Sequence, residues 1–334
     1  DALIHFFIYN IIMTQPSQSA SGLARGYTTA LLSAMVLSST AVFIRYLTET
    51  YQLPAVVLAF WRDLFAMLTL AIGLGIFRPA LLKVPRSQLP YLAFFGVNFA
   101  LFNYFWTLSV ALNGASVATV LAYCSPAFSA FMAVWLLKER MDAVRIGSIV
   151  VCLAGCVLVA GAYNADAWNT NLGGIIAGLF TGVTYAMYTL LGRKTAQRGI
   201  NPWTSLTYVF GFAAAVLLIV NLLFSGLLPG TAEQAGGLLA HMDFAGWGVL
   251  LILAAGPTVL GFVLCNISLM YLSPNLTNLI LTSEPVFTSI TAFFFLGETL
   301  GGWQIAGTVL IIGAVVFLRI YEARKTKLAL QTAI

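Results

Sequence analysis

Apolar residues dominate this chain in long runs separated by short polar connections. The runs are about twenty residues or longer, the length a helix needs to cross a bilayer. Their polarity does not alternate, which excludes the strands of a β-barrel. They read instead as helices, whose backbone groups pair within the segment. Ten spans are predicted: 25–46, 54–76, 88–110, 115–137, 143–163, 171–192, 203–225, 245–271, 274–296 and 302–320. Breaker residues mark the connections, among them Arg78-Pro79, Val84-Pro85, Asn113-Gly114, Asn201-Pro202, Leu228-Pro229-Gly230 and Ser273-Pro274. The longest connection, about 226–244, carries no strong pattern.

Composition supports this pattern. Of 334 residues, 60% are hydrophobic and only 8% charged, against roughly 25% charged in soluble domains. The mean hydropathy is +0.94. The net charge of +5 is explained by topology and implies no nucleic-acid partner. With the N-terminus cytoplasmic, every Lys and Arg except Arg45 and Arg62 falls in or beside a cytoplasmic segment, as the positive-inside rule requires. Both termini are expected in the cytoplasm, in a multi-pass protein of a bacterial inner membrane. Cys124, Cys152, Cys156 and Cys265 all lie in apolar runs and read as small packing residues. Residues 1–12, DALIHFFIYNII, lack the basic end and cleavage site of a secretory signal. They are read as an upstream artefact within an N-terminal tail, 1–24.

The chain repeats itself. Shifted by 159 residues, SPAFSAFMAVWLLKER (125–140) lies over EPVFTSITAFFFLGET (284–299), matching Pro126 to Pro285, Phe128 to Phe287, Leu137 to Leu296 and Glu139 to Glu298. A weaker match, at a shift of 148, lays Arg45 over Arg193. Two five-helix repeats follow, 25–163 and 171–320, with a cytoplasmic tail at 321–334. An odd number of spans per repeat inverts the second copy. Inverted repeats are a recurring plan of secondary transporters, with the substrate near the midplane where the halves meet.

The doubled Ser/Glu-Pro-x-Phe…Leu-x-Glu pattern, the five-plus-five spans and Arg62 in AFWRDL resemble the EamA branch of the drug/metabolite transporter superfamily. Within it the chain is most similar to the YddG-type exporters of aromatic amino acids. The resemblance implies an all-α integral membrane protein of ten helices around a central cavity, exporting amino acids and some toxic organic cations. The first repeat departs from the second at Ser125, where the second has Glu284.

Helical spacing gathers the candidate chemistry. Thr277, Leu281, Glu284, Thr288 and Thr291 share one face of span nine. Gly174, Gly178, Thr181, Tyr185 and Tyr188 share one of span six, and Asn98, Phe102, Trp106 and Ser109 one of span three. These faces predict a cavity between spans one, three, four, six, eight and nine. The expected substrate-binding residues are Glu284, Asn98, Trp106, Tyr123, Tyr185, Tyr188, Thr40 and Asn266. Glu284 leads, because an ionisable group near the midplane marks a pathway or relay. Ionised, it would pair with a substrate ammonium; neutral, it would carry a proton; the plain alternative is a hydrogen bond pinning a kink. The asparagines face inward whether they bind ligand or brace helices, and small stripes serve packing as readily as binding. Pro126, Pro285, Glu139, Glu298 and Arg62 are expected as hinge or gate residues. Arg62 and Asp63 point about 100° apart on a helix and need not pair, and span two is expected at the bundle edge.

No GxxxxGK[ST] supplies ATP chemistry. The two histidines, His5 and His241, lie outside the spans, and Asp63 is the sole Asp within them, so an enzyme is not expected. The sequence predicts a monomeric secondary exporter of neutral, chiefly aromatic, amino acids working by alternating access, without metal or cofactor. Proton coupling and facilitated diffusion are both compatible with it. The alternatives are efflux of organic cations such as methyl viologen, or a channel or sensor. The expected partners are a small-molecule substrate and membrane lipid.

Overall fold

The computed structural model describes residues 20–125, 128, 143–159, 165–238, 242–272, 274–281 and 283–332. Among them the regular structure is helical, without strands. The helices are α1 (Ala20–Thr50), α2 (Ala55–Phe77), α3 (Leu89–Asn113), α4 (Ala115–Ala122), α5 (Ala143–Val159), α6 (Ala165–Gln197), α7 (Pro202–Leu223), α8 (Phe244–Leu253), α9 (Val259–Tyr271), α10 (Pro274–Leu281), α11 (Glu284–Leu296) and α12 (Gly302–Thr332). Six helical stretches among the described residues are long and apolar enough to cross a membrane: Gly22–Thr50, Ala55–Phe77, Arg86–Asn113, Leu172–Gln197, Pro202–Leu223 and Phe244–Tyr271.

The starts and stops follow local chemistry. Asn201 accepts the amide of Trp203 and Pro202 opens α7, a pairing suited to a helix start because proline lacks the amide that would go unsatisfied there. Asp243 accepts the Gly246 amide at 2.8 Å and so caps α8. That amide, together with the Tyr51 hydroxyl, holds its carboxyl below the usual carboxylate range. Gly114, at φ +83°, lets α3 end and α4 begin with no intervening loop. Between α8 and α9 the helix continues through a π-turn, Ala254–Thr258, which contains Pro257. A proline inside a helix removes a donor and crowds the preceding turn, and the wider turn absorbs that.

The expected ninth span, 274–296, is interrupted. One helix ends at Leu281 and the next starts at Glu284. Pro285 therefore sits in the first turn of α11, where its missing donor costs nothing, and not inside a kinked helix. Pro126 and Glu139 lie outside the described residues.

The helices pack chiefly across the two halves of the chain. α2 lies along α7, α5 along α12, α1 along α9, α3 along α6, and α1 and α4 both meet α11. The outer surface is apolar, with Ile72, Phe77, Phe294, Phe295 and Val309 exposed, as a lipid-facing surface requires. Inside, hydroxyls return to their own helices, as when Thr181 Oγ1 donates to the Ala177 carbonyl at 2.8 Å. Others cross between helices, as when Ser33 Oγ donates to Gly261 O at 2.9 Å. A Cβ on Gly261 would stand 2.5 Å from the Leu37 side chain, so a larger residue there would have to displace Leu37 from between α1 and α9.

Two arginines close helix ends in the same way. Arg45 Nη1 donates to the Ala111 carbonyl in the last turn of α3 at 2.6 Å. Arg193 Nη1 donates to the Leu269 carbonyl in the last turn of α9 at 2.7 Å. Both fill carbonyls that a helix end leaves unpaired.

Candidate functional site

The interior holds a cavity of about 30 Å³ bounded by α1, α2, α3, α6, α9, α11, the end of α4 and the π-turn. Room for water-sized occupants needs only ~10–15 Å³, so the walls must part to admit anything larger.

Glu284 stands on this cavity as the first residue of α11, 7% exposed. The helix break sets its position. A carboxylate in a first turn meets the positive end of the helix dipole and its unpaired amides. Tyr123 approaches from the facing half of the molecule, where α4 stops at Ala122. Its hydroxyl donates to Glu284 Oε2 at 2.6 Å, a charge-assisted geometry if the carboxylate is ionised. Two interrupted helices thus meet at one hydrogen bond.

Aromatic rings build the opposite wall. Phe102 stacks on Tyr185, with centroids 5.5 Å apart and planes at 29°, and lies nearly parallel to Trp106 at 6.5 Å. Tyr185 lies parallel to Tyr188 at 5.9 Å, and Tyr123 meets Tyr185 edge-on. Offset and edge-on pairs of this kind fix ring orientation beyond what area burial gives. Phe262 of α9 packs edge-on against Phe102 and completes the wall.

The third element is a charged cluster on α2 and α3. Asn103 Nδ2 donates to both oxygens of Asp63, at 2.8 and 2.7 Å. Arg62 Nε lies 3.6 Å from Asp63 Oδ1. Arg62 is 2% exposed and Asp63 fully buried. This corrects two expectations. The adjacent residues do pair, because the long arginine stem wraps across the angle between them. Span two is not at the edge where Arg62 sits, since Arg62 lines the cavity itself.

Of the expected binding residues, Glu284, Tyr123, Tyr185, Trp106 and Thr40 come together on the cavity. The other three stand behind it. Tyr188 backs Tyr185 in the stack. Asn266 Nδ2 donates to the Phe262 carbonyl at 2.8 Å and to the Tyr188 hydroxyl. Asn98 Nδ2 donates to the Thr184 carbonyl at 3.2 Å, tying α3 to α6. Thr40 returns its own hydrogen to Leu37 O. Asn103, Thr258 and Phe262 also line the cavity without having been singled out as binding residues. The signals were Gly256-Pro257 beside Thr258, and an asparagine that an apolar span places inward.

Glu298 lies at the far end of α11, beyond Gly297 with its φ of +68°. Its Oε1 accepts the Ala115 amide at 2.9 Å, and its Oε2 accepts the Ser116 amide at 3.1 Å and the Ser116 hydroxyl at 3.0 Å. Arg45 Nε is 3.9 Å away. It caps α4 from a position 183 residues away.

A model of the EamA-like transporter family matches residues 24–161 and again 172–320. The chain is 28% identical over 255 residues to the threonine/homoserine exporter RhtA of Salmonella typhimurium strain LT2, covering 74% of this chain and 78% of that one. It is 25% identical over 305 residues to the uncharacterized transporter YcxC of Bacillus subtilis strain 168, covering 90% and 95%. A solved structure described as "Crystal structure of protein" superposes with a TM-score of 0.58 over 90% of this chain and 97% of its own, at 18% identity, a likeness of fold.

Proposed function

The chain belongs to the EamA-like transporter family, and on that premise we propose that it exports neutral amino acids across a bacterial inner membrane by alternating access. The observation that carries this reading is the Glu284–Tyr123 pair facing a wall of stacked rings. A carboxylate there offers a counter-charge to an ammonium, and the rings offer an apolar surface to a side chain. That RhtA is named as an amino-acid exporter supports the class of cargo; the aromatic wall favours the aromatic members of it.

The same proposal includes the architecture: ten spans in two inverted five-helix halves, both termini cytoplasmic. Three features support it. The second EamA match repeats the first in sequence. Exchanging the halves maps α1–α9 packing onto α6–α3 packing and leaves α2–α7 and α5–α12 unchanged. Arg45 and Arg193 close the ends of α3 and α9 alike. In this proposal the interruptions at Tyr123, Ser283 and the π-turn are where the helices bend to widen the cavity for cargo.

Labelled threonine, phenylalanine and tryptophan in proteoliposomes test the reading. Protein-dependent flux of at least one is expected; no flux of any amino acid sinks it. Organic-cation efflux is the second reading, because a buried carboxylate also suits a cation. Arg62 on the same cavity weighs against it.

A further inference from the structure

We propose that Arg62 is the carboxylate receptor of the cavity, so that the cargo is an α-amino acid bound as a zwitterion between Arg62 and Glu284; this rests on the export reading and deepens it. A guanidinium stays charged at all physiological pH and carries five donors in a planar fork. Buried, it needs acceptors, and removing it from water without them is costly. Arg62 is 2% exposed, yet its Nε and Nη2 make no hydrogen bond. Its neighbour Asp63 balances charge at 3.6 Å but does not satisfy those donors. Asp63 is held instead by Asn103, which donates to both of its oxygens. The cluster holds a guanidinium at the cavity wall with two buried donors unfilled, which a ligand would reach as the walls part.

Glu284 does not take up those donors. Both residues line the cavity, but among the described residues no ion pair joins them. The cavity therefore presents a carboxylate and, apart from it, a guanidinium whose charge Asp63 balances but whose donors are unfilled. A simple cation would satisfy Glu284 and leave the donors of Arg62 unfilled. A phosphate or other dianion would satisfy Arg62 and be repelled by Glu284. A zwitterion satisfies both, and the planar fork of arginine matches a carboxylate with two parallel hydrogen bonds. Phe102, Trp106 and Tyr185 line the same cavity and offer a surface for the side chain.

The experiment is counterflow in proteoliposomes, with labelled threonine or phenylalanine as reporter. The competitors are the same amino acids, their decarboxylated counterparts 1-amino-2-propanol and phenethylamine, and 3-phenylpropionate, which lacks the ammonium. In the wild type each truncated compound is expected to compete at least about tenfold more weakly than its parent, the cost of leaving a buried charge unpaired. In R62Q the penalty for losing the carboxylate should collapse to within about twofold while the penalty for losing the ammonium stays. R62K keeps the charge but not the fork. Should R62Q not fold, thermal shifts in detergent are read on R62K: stabilisation by the amino acid should fall while that by the amine is unchanged. Wild-type discrimination retained in R62Q, or an unaltered amino-acid shift in R62K, overturns the assignment and leaves amino-acid export standing. No amino-acid flux in the wild type overturns the export reading itself.

Discussion

The two ends of α11 carry the same functional group under opposite conditions. At the outer end, Glu298 is largely satisfied: two backbone amides and a hydroxyl donate to it, with Arg45 alongside. At the cavity end, Glu284 receives one hydrogen bond among the described residues, from Tyr123. An ionised carboxylate offers about four acceptor sites, so Glu298 is spent on architecture and Glu284 has capacity left. Burial sharpens the contrast, since the less satisfied acid is the more buried one. A fold holds such a group only where something else completes it.

Substitutions at the two ends should therefore fail in different ways. The largest effect is expected from Glu284→Gln, which keeps shape and the Tyr123 contact but removes the charge. Flux should fall by at least about tenfold, with the melting temperature in detergent nearly unchanged; full flux with an intact pH profile would remove both the ammonium-binding and the proton-carrying role. Next is Glu298→Ala. It leaves the first turn of α4 uncapped and should cost about 1–2 kcal/mol of stability, seen as a lowered melting temperature, while the KM for transport holds. A changed KM with unaltered stability would reverse the division of labour drawn between the two ends. The smallest is Tyr123→Phe, which deletes only the donor to Glu284. A several-fold rise in KM is expected, consistent with about 1 kcal/mol for one hydrogen bond. If it matches Glu284→Gln in size, the tyrosine does more than orient the acid.

The helices were legible because an apolar run of membrane length has few other uses. Predicted and observed boundaries agree within a few residues at α2, α3 and α7. The break before Glu284 was not read, although its signal is present. Ser283 followed two residues later by Pro285 is as good a helix start as it is an interior kink, and only the packing of α11 against α1 and α4 decides between them. The Arg62–Asp63 pair was missed for a related reason. Helical angles describe where a Cβ points, whereas a guanidinium on a long stem reaches where packing leaves space. The inward asparagines could be placed but not assigned. Asn98 and Asn266 brace helices while Asn103 holds the charged cluster, and that choice rests on neighbours from other spans. Cargo identity lies further off, in the fit of stacked rings that spacing along a chain does not encode.

The cap on α4 also governs the order of assembly. The first-turn amides of α4 are satisfied by a residue 183 positions later in the chain. During synthesis the N-terminal helices therefore enter the membrane with that end still open, and it closes only when α11 has arrived. Contacts this distant in sequence form late and slowly. A nascent chain truncated before Glu298 should expose an unfinished helix end to quality-control proteases, making one carboxylate the tie that fastens α4 to the end of α11.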